Sequence, residues 1–305
     1  MFLGPTQQVF LDHVSVLVRD LKKTQRSLKS LGFDFQLWGR FPEGFENGGV
    51  VFPGGTYLEF LDPYDLKKAN QDPDYARLKG REKADSFALK TRDPFQTLDY
   101  LQSKGFVAKF SQSNSFQALN QPTTTDWQFR DVYLDKNPLP GDPFWVQYNP
   151  TRPKRLGTGA NALGVQKILA VWIVVKDLKD ASIRYGRAGV PILTSGPDCI
   201  VLSPGPLQDH APNAGLIVLV SASGADPDAR SFARYGEDGV YRISLECEDL
   251  RWSAIQASAL IRGLPKPVGT SIGKSILLPK ELTPGVRIDL TQPPALFGFT
   301  PDIAH

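Results

Sequence analysis

Leu11-Asp12-His13-Val14-Ser15-Val16-Leu17-Val18-Arg19-Asp20-Leu21 reads as a strand that runs straight into a helix. Residues 11–18 alternate in the manner of a half-buried strand. Asp20 then opens a segment with Leu21, Leu28 and Leu31 at near-helical spacing, stopped by Gly32. An aspartate in front of a helix has a physical purpose, because its carboxylate accepts from the free N–H groups of the first turn.

The same text recurs three times. At an offset of 73 residues come Ser86 to Thr91 as strand, Asp93 as cap, Leu101 on the helix and Gly105-Phe106 matching Gly32-Phe33. At an offset of 157 come Val171 to Val175, Asp177-Leu178-Lys179 and Gly189; at 229 come Ile243, Asp249-Leu250 and a longer helix stopping near Gly263. After each helix the text turns back to strand. In the first unit the strands fall at roughly 33–40, 49–52 and 56–61, the last two joined by Pro53-Gly54-Gly55. The closing strand repeats as well: 55–63 aligns with 285–293 at an offset of 230, 144–150 closes the second unit one residue shorter, and 215–219 closes the third. Each unit is therefore βαβββ, and the fold class is α+β.

One such unit covers one sheet face with its own helix and leaves a concave face in need of a partner, so the four units are expected as two pairs. The expected division is a first domain over 1–152, a linker over 153–164 and a second domain over 165–305. A chain of 305 residues with 41% hydrophobic residues can bury two such cores. A net charge of +3, from 35 basic and 32 acidic residues without a long basic block, implies no nucleic-acid partner. No stretch approaches roughly 18 apolar residues and the opening MFLGPTQQ lacks a basic leader, so a cytoplasmic protein without a membrane partner is expected, as monomer or homodimer. Cys199 and Cys247 show neither CxxC nor Cys/His spacing and read as inert thiols on strands.

LDHVSVLVRDL (11–21), the Gly32-Phe33 stop, TYLEFLDP (56–63) and DPFWVQYNP (142–150) together resemble the vicinal-oxygen-chelate superfamily, most closely its glyoxalase-like domain branch. The resemblance implies paired half-barrels whose hollow holds a divalent metal ion (Zn, Mn, Fe, Ni or Co), bound from the first and last strands of each module. It fixes fold better than reaction, since one fold hosts many chemistries.

Strand alternation puts His13 with Leu11, Ser15 and Leu17 on the hollow side, and Tyr57, Glu59 and Leu61 together on the closing strand. By the resemblance, His13 and Glu59 are metal ligands. In the second module the His13 position is Ser86, a poor ligand suited to touching substrate. The Glu59 position is Gln147 if 146–148 is aligned with 58–60, or Val146 if the trailing proline sets the register. The first alignment is preferred, which makes His13, Glu59 and Gln147 the expected ligand set, with Glu59 and Gln147 also the candidate catalytic groups. Asn47, in a stretch (41–48) that resembles the family's site-closing loop, and the aromatics Tyr57 and Trp145 are candidate substrate contacts, as are Trp38 and Trp127; Arg40 and Arg130 are candidate anchors for an anionic group.

The second half presents Ala170, Leu219, Arg242 and Asp289 at the corresponding positions, with an Arg242–Asp289 ion pair filling the space of a metal. His210 and His305 stand outside these positions. Two functions fit. One is a metal-dependent lyase or isomerase acting on a small oxygenated substrate. The alternative is a metal-free protein that binds or sequesters a small molecule.

Overall fold

The computed structural model describes residues 9–71, 75–76, 81–113, 117–118, 128–136, 139–150, 159, 161–205, 215–234, 238–261 and 267–293. The first unit comprises β1 (Phe10–Leu17), α1 (Leu21–Ser30), β2 (Phe35–Arg40), β3 (Phe45–Val51) and β4 (Tyr57–Pro63). A short α2 (Leu66–Ala69) precedes the second, with β5 (Lys83–Lys90), α3 (Pro94–Ser103), β6 (Val107–Ser113), β7 (Gln117–Ala118), β8 (Phe129–Lys136) and β9 (Pro143–Tyr148). The third has β10 (Val165–Val175), α4 (Leu178–Arg187), β11 (Ile192–Ser195), β12 (Cys199–Leu202) and β13 (Leu216–Ser221). After α5 (Pro227–Ala233) comes the fourth, with β14 (Gly239–Cys247), α6 (Leu250–Ile261), β15 (Val268–Thr270), β16 (Gly273–Leu277) and β17 (Arg287–Gln292). The four βαβββ units stand as expected. The extra elements α2, α5 and β7 carry no repeat signal and were not foreseen, and of the stretch read as a loop at 41–48 the second half, from Phe45, belongs to strand β3.

All four aspartate caps form. Asp20 accepts from the Lys23 N–H, Asp93 from Phe95 and Gln96, Asp177 from Asp180, and Asp249 from Arg251 and Trp252, each worth about 1 kcal/mol. Gly32, Gly105 and Gly189 end the first three helices with φ of 81°, 82° and 88°, a left-handed turn that side chains resist. Gly263 lies outside the described residues.

Among the described residues the strands form a nine-stranded sheet, ordered β6-β8-β9-β5-β1-β4-β3-β2-β7, and an eight-stranded one, ordered β11-β12-β13-β10-β14-β17-β16-β15. Within a unit the first and closing strands pair in parallel; two units join where their first strands run antiparallel, β1 with β5 and β10 with β14. Strand β7 leaves the second unit and pairs with β2, at the far end of the sheet from β6, which draws the curled sheet toward closure. The first sheet ends at Tyr148 and the second begins at Val165; most of the linker expected between them lies outside the described residues.

Strands β1, β5 and β14 each carry one extra residue relative to the antiparallel partner, and β10 carries two, at Gln166 and Leu169. The pairing slips at Asp12 on β1, Asp85 on β5, Leu169 on β10 and Tyr241 on β14, the same place in all four repeats. Such a bulge bends the strand and brings two successive side chains toward one side. Strict alternation therefore fails at Leu11. It is buried in the core behind the sheet, while Asp12 joins His13 in the hollow.

The faces behind the two sheets share one core. Val14 and Val16 of β1, Phe87 and Leu89 of β5, Val171 and Ile173 of β10, and Ile243 and Leu245 of β14 belong to a single buried cluster with the helix residues Leu28, Leu101 and Tyr185. Hydrogen bonds cross between the halves, from the Ile168 N–H to Thr56 Oγ1 at 2.7 Å and from the Tyr185 hydroxyl to the Pro140 carbonyl at 2.5 Å. Cys247, at the end of β14, is buried and its thiol is pushed up to about 11 by desolvation; Cys199 also sits on a strand, and both are free. No helix among the described residues is long and apolar enough to cross a membrane.

Candidate functional site

Parallel pairing of β1 with β4 sets His13 beside Tyr57 and Ser15 beside Glu59. His13 and Glu59 are 4% and 5% exposed. His13 Nδ1 lies 2.9 Å from Asp12 Oδ1, so with Asp12 ionised the ring proton sits on Nδ1 and the Nε2 lone pair is left open. Nε2 is 3.6 Å from Glu59 Oε2, beyond a hydrogen bond but within ion-pair reach. Glu59 is itself held, Oε1 accepting from Asn47 Nδ2 at 2.6 Å and Oε2 from Ser15 Oγ at 3.1 Å. Asp12 also accepts from the Tyr148 hydroxyl at 2.8 Å, and that hydroxyl meets the Tyr57 hydroxyl at 2.6 Å.

The imidazole cannot turn. The Tyr57 ring stacks on it with centroids 4.3 Å apart and planes at 14°, and Phe144 meets it edge-on at 5.5 Å. Trp38 packs edge-on against Tyr57 at 5.4 Å and lies over Gly49, where a Cβ would come within 2.4 Å of the indole, so only glycine lets the ring approach the strand. Two cavities of about 230 Å³ each adjoin this cluster and share Phe41, Glu59 and Leu61 as walls. His13, Tyr57 and Ser86 line one of them; Glu43, Tyr75 and Asp85 line the other.

Of the residues singled out in the sequence, His13, Glu59, Tyr57 and Ser86 come together, and Asn47 reaches Glu59 from strand β3 rather than from a loop. Gln147 does not join them. β9 pairs with β5 so that Ala88 faces Phe144 and Lys90 faces Val146, which turns Phe144, Val146 and Tyr148 into the hollow and Gln147 away from it. The Gln147 amide instead donates to the Arg92 carbonyl at 2.5 Å. Val146, the residue of the other alignment, lines the hollow, but strand register sets Phe144 and neither of the two in the Glu59 position. For the same reason Trp145 packs into the core, 1% exposed, and touches no substrate space. Arg40 pairs with Glu46, and Arg130 with Gln112 over the Phe95 ring, so neither anchors a ligand in the hollow. Trp127 lies outside the described residues, as do His210 and His305. Asp12 and Tyr148 were missed. The recurrence of aspartate at Asp12 and Asp85, an offset of 73, was the available signal for the first.

Register also fixes which residues correspond. Ser15 pairs with Glu59, and Ala88, its counterpart in the second unit, pairs with Phe144. The second unit thus offers Ser86 and Phe144 where the first has His13 and Glu59. The divalent ion that the resemblance implies would find two protein donors here, Nε2 and Oε2. No group of three His, Cys, Asp or Glu side chains is arranged to hold a metal among the described residues. Catalytic metal sites ordinarily use three protein ligands. The donor set does not fit a resident ion.

In the second sheet the expected ion pair forms, Arg242 Nη2 lying 2.5 Å from Asp289 Oδ2. Ser244 donates to Asp289 Oδ1 at 2.7 Å, the counterpart of the contact from Ser15 to Glu59, and the guanidinium lies over the Trp172 ring at 4.6 Å. Leu219 faces the core; its neighbours Val218 and Val220 share a hollow-side cluster with Ala170, packed by Ala229 and Phe232 of α5. This hollow is filled by its own side chains.

Paired βαβββ units sharing one curled sheet, with a histidine and a carboxylate on the first and closing strands, define a protein of the vicinal-oxygen-chelate fold. The chain belongs to the glyoxalase-like domain family, which it matches over residues 11–191. It is similar in structure to a hypothetical protein from Staphylococcus aureus (TM-score 0.64, 12% identity, covering 93% of this chain and 99% of that one). It is also similar to a triple mutant of 4-hydroxymandelate synthase from Streptomyces coelicolor (TM-score 0.62, 14% identity, 94% and 93%). A third similar structure is a fusion of a xylose isomerase-like TIM barrel with 4-hydroxyphenylpyruvate dioxygenase (TM-score 0.60, 12% identity, covering 97% of this chain and 52% of that one). No curated protein matches the chain at a significant level. At these identities the likenesses establish the fold alone.

Proposed function

We propose that the chain is an acid–base enzyme of lyase or isomerase type that acts on a small oxygenated substrate in its N-terminal hollow, with His13 as the proton-moving group. The observation that carries this reading is the imidazole held at Nδ1 by Asp12 and packed between rings in the wall of a cavity of about 230 Å³. In the proposed step Nε2 takes a proton from a carbon beside a carbonyl, and the electron pair moves through the carbonyl onto its oxygen as an enolate. Ser86, lining the same cavity, is the hydroxyl available to it. The imidazolium so formed faces the Glu59 carboxylate at 3.6 Å, a favourable pairing in a buried site. Where the first carbon bears a hydroxyl, return of the proton to the neighbouring carbon, with the hydroxyl proton passing to the enolate oxygen, is an isomerisation; where a β C–O bond breaks as the enolate re-forms the carbonyl, delivery of the proton to the departing oxygen is an elimination. Protein groups carry the step because the metal donors stop at two.

The test is proton exchange in deuterated water. Chelator-treated protein is offered a panel of α-hydroxy and α-amino ketones, and loss of the α-proton signal is followed by NMR. Exchange that survives chelation and falls about 100-fold or more in His13→Gln is the expected result. If the parent binds panel members without exchanging them, the metal-free binding protein is the correct reading.

A further inference from the structure

We propose that the outer face of α1 is a docking surface for an acidic segment of another protein. Leu21, Thr24 and Leu28 form the buried side of this helix. Lys22, Lys23, Arg26 and Lys29 are all exposed. At about 100° per residue, Lys22, Arg26 and Lys29 fall within about 60° of one another, opposite the buried side. The helix contains no Asp or Glu, and among the described residues none of its four cations is in an ion pair. The carboxylates at its start, Asp20 and Asp62, accept from the backbone N–H groups of Lys23 and Leu21.

Nothing in the fold asks for this charge. The helices in the same place in the other three units have the same aspartate cap and different surfaces. Asp99 is the only charged residue of α3, Arg251 is the only one of α6, and α4 sets Arg184 4.0 Å from Asp180. On α1 the charges work against the helix. Lys22 with Arg26, and Arg26 with Lys29, are like-charged neighbours four and three residues apart, which destabilises a helix. Lys22 and Lys23 lie in the first turn, where the helix dipole disfavours cations; only Lys29, in the last turn, has the favourable sign. A cluster that weakens its own element and serves no ion pair inside the chain is accounted for by a contact outside it.

The chemistry of the partner follows from what the face has and lacks. Cations spread over two turns of one helix match a run of carboxylates on an opposing chain. None of the four lines either cavity, so they do not gather around a small anion. No large apolar side chain is exposed on α1, which leaves nothing to bury in a bilayer. The helix has no aromatic ring on which a nucleic-acid base could stack. Exposed ion pairs are individually weak and screened by salt, so the association is transient and salt-sensitive. The face lies behind the sheet, on the side away from the hollow, and the inference stands apart from the acid–base reading.

The probes are fluorescein-labelled octaglutamate, octaglutamine and octathymidylate, followed by anisotropy with the full chain at low ionic strength, and phosphatidylserine–phosphatidylcholine vesicles, followed by co-sedimentation. Octaglutamate is expected to bind about 10- to 100-fold more tightly than octaglutamine. The advantage should vanish in 1 M salt, where screening reaches about 3 Å. Replacing Lys22, Lys23, Arg26 and Lys29 together by Gln should abolish it, with a melting temperature at or above that of the parent. Arg26→Gln alone should weaken octaglutamate several-fold, and the distant pair Lys179→Gln with Lys274→Gln should leave it unchanged. The proposal is overturned by equal affinity for the two peptides, by no binding of octaglutamate, or by an advantage that survives the fourfold replacement. It is equally overturned by tighter binding of octathymidylate or vesicles, or by a fourfold variant that melts well below the parent, which would make the face structural.

Discussion

His13 has a different neighbour at each ring nitrogen. Asp12 takes the Nδ1 proton in a hydrogen bond, and Glu59 stands off Nε2 by 3.6 Å, with its own oxygens committed to Asn47 and Ser15. The arrangement orients the ring through Asp12 and reserves Glu59 for the charge that appears when Nε2 is protonated. Asp12→Asn removes the anionic acceptor and allows the ring to be held in the other tautomer, with Nδ1 accepting from the amide. Proton exchange in that variant is expected to drop about 100-fold or more, with the fold retained as judged by circular dichroism. A drop no larger than that of Tyr148→Phe, which removes only one donor to Asp12, would show that Asp12 does not set the tautomer.

At the scale of elements, the four strands that begin the units, their aspartate caps and the glycine stops of the first three helices were legible in the sequence, because each is a local requirement written into neighbouring residues. The site was legible only where alternation holds. His13, Glu59, Ser86 and Tyr57 sit on stretches where it does. Asp12 escaped because a bulge is a property of the pair of strands, invisible in either alone. Gln147 was misplaced because the inward side of β9 is decided by its pairing with β5 and not by its own text. Register also indicates how a metal site could be completed. Ser86 and Phe144 hold the places of His13 and Glu59, so the double variant Ser86→His with Phe144→Glu sets two histidines and two carboxylates around one hollow. Such a set suits zinc or a similar divalent ion. Near-stoichiometric zinc by elemental analysis is expected in the double variant, with little retained by the parent or by either single variant. Zinc content no higher in the double variant would refute the assigned register.

For the whole molecule, the decisive feature is that both sheets bury their backs in one core. A boundary in the linker is a boundary of topology, and separating the halves exposes the backs of β1, β5, β10 and β14. We therefore expect calorimetry of the full chain to give one unfolding transition, and a fragment covering 9–150 to lack a cooperative one. Two well-resolved transitions, or a fragment that melts cooperatively on its own, would show that each half is self-sufficient. The bulges carry a different consequence, one of inheritance. Repetition of the unit repeats the kink, and each first strand presents two adjacent sockets on its inner side: Asp12 and His13, Asp85 and Ser86, Leu169 and Ala170, Tyr241 and Arg242. Apart from the aspartate shared by Asp12 and Asp85, their contents differ while the bend that presents them does not. A lineage built this way keeps spare sockets in the same gene as the one it uses, and can acquire new chemistry by refilling a socket without recutting the backbone.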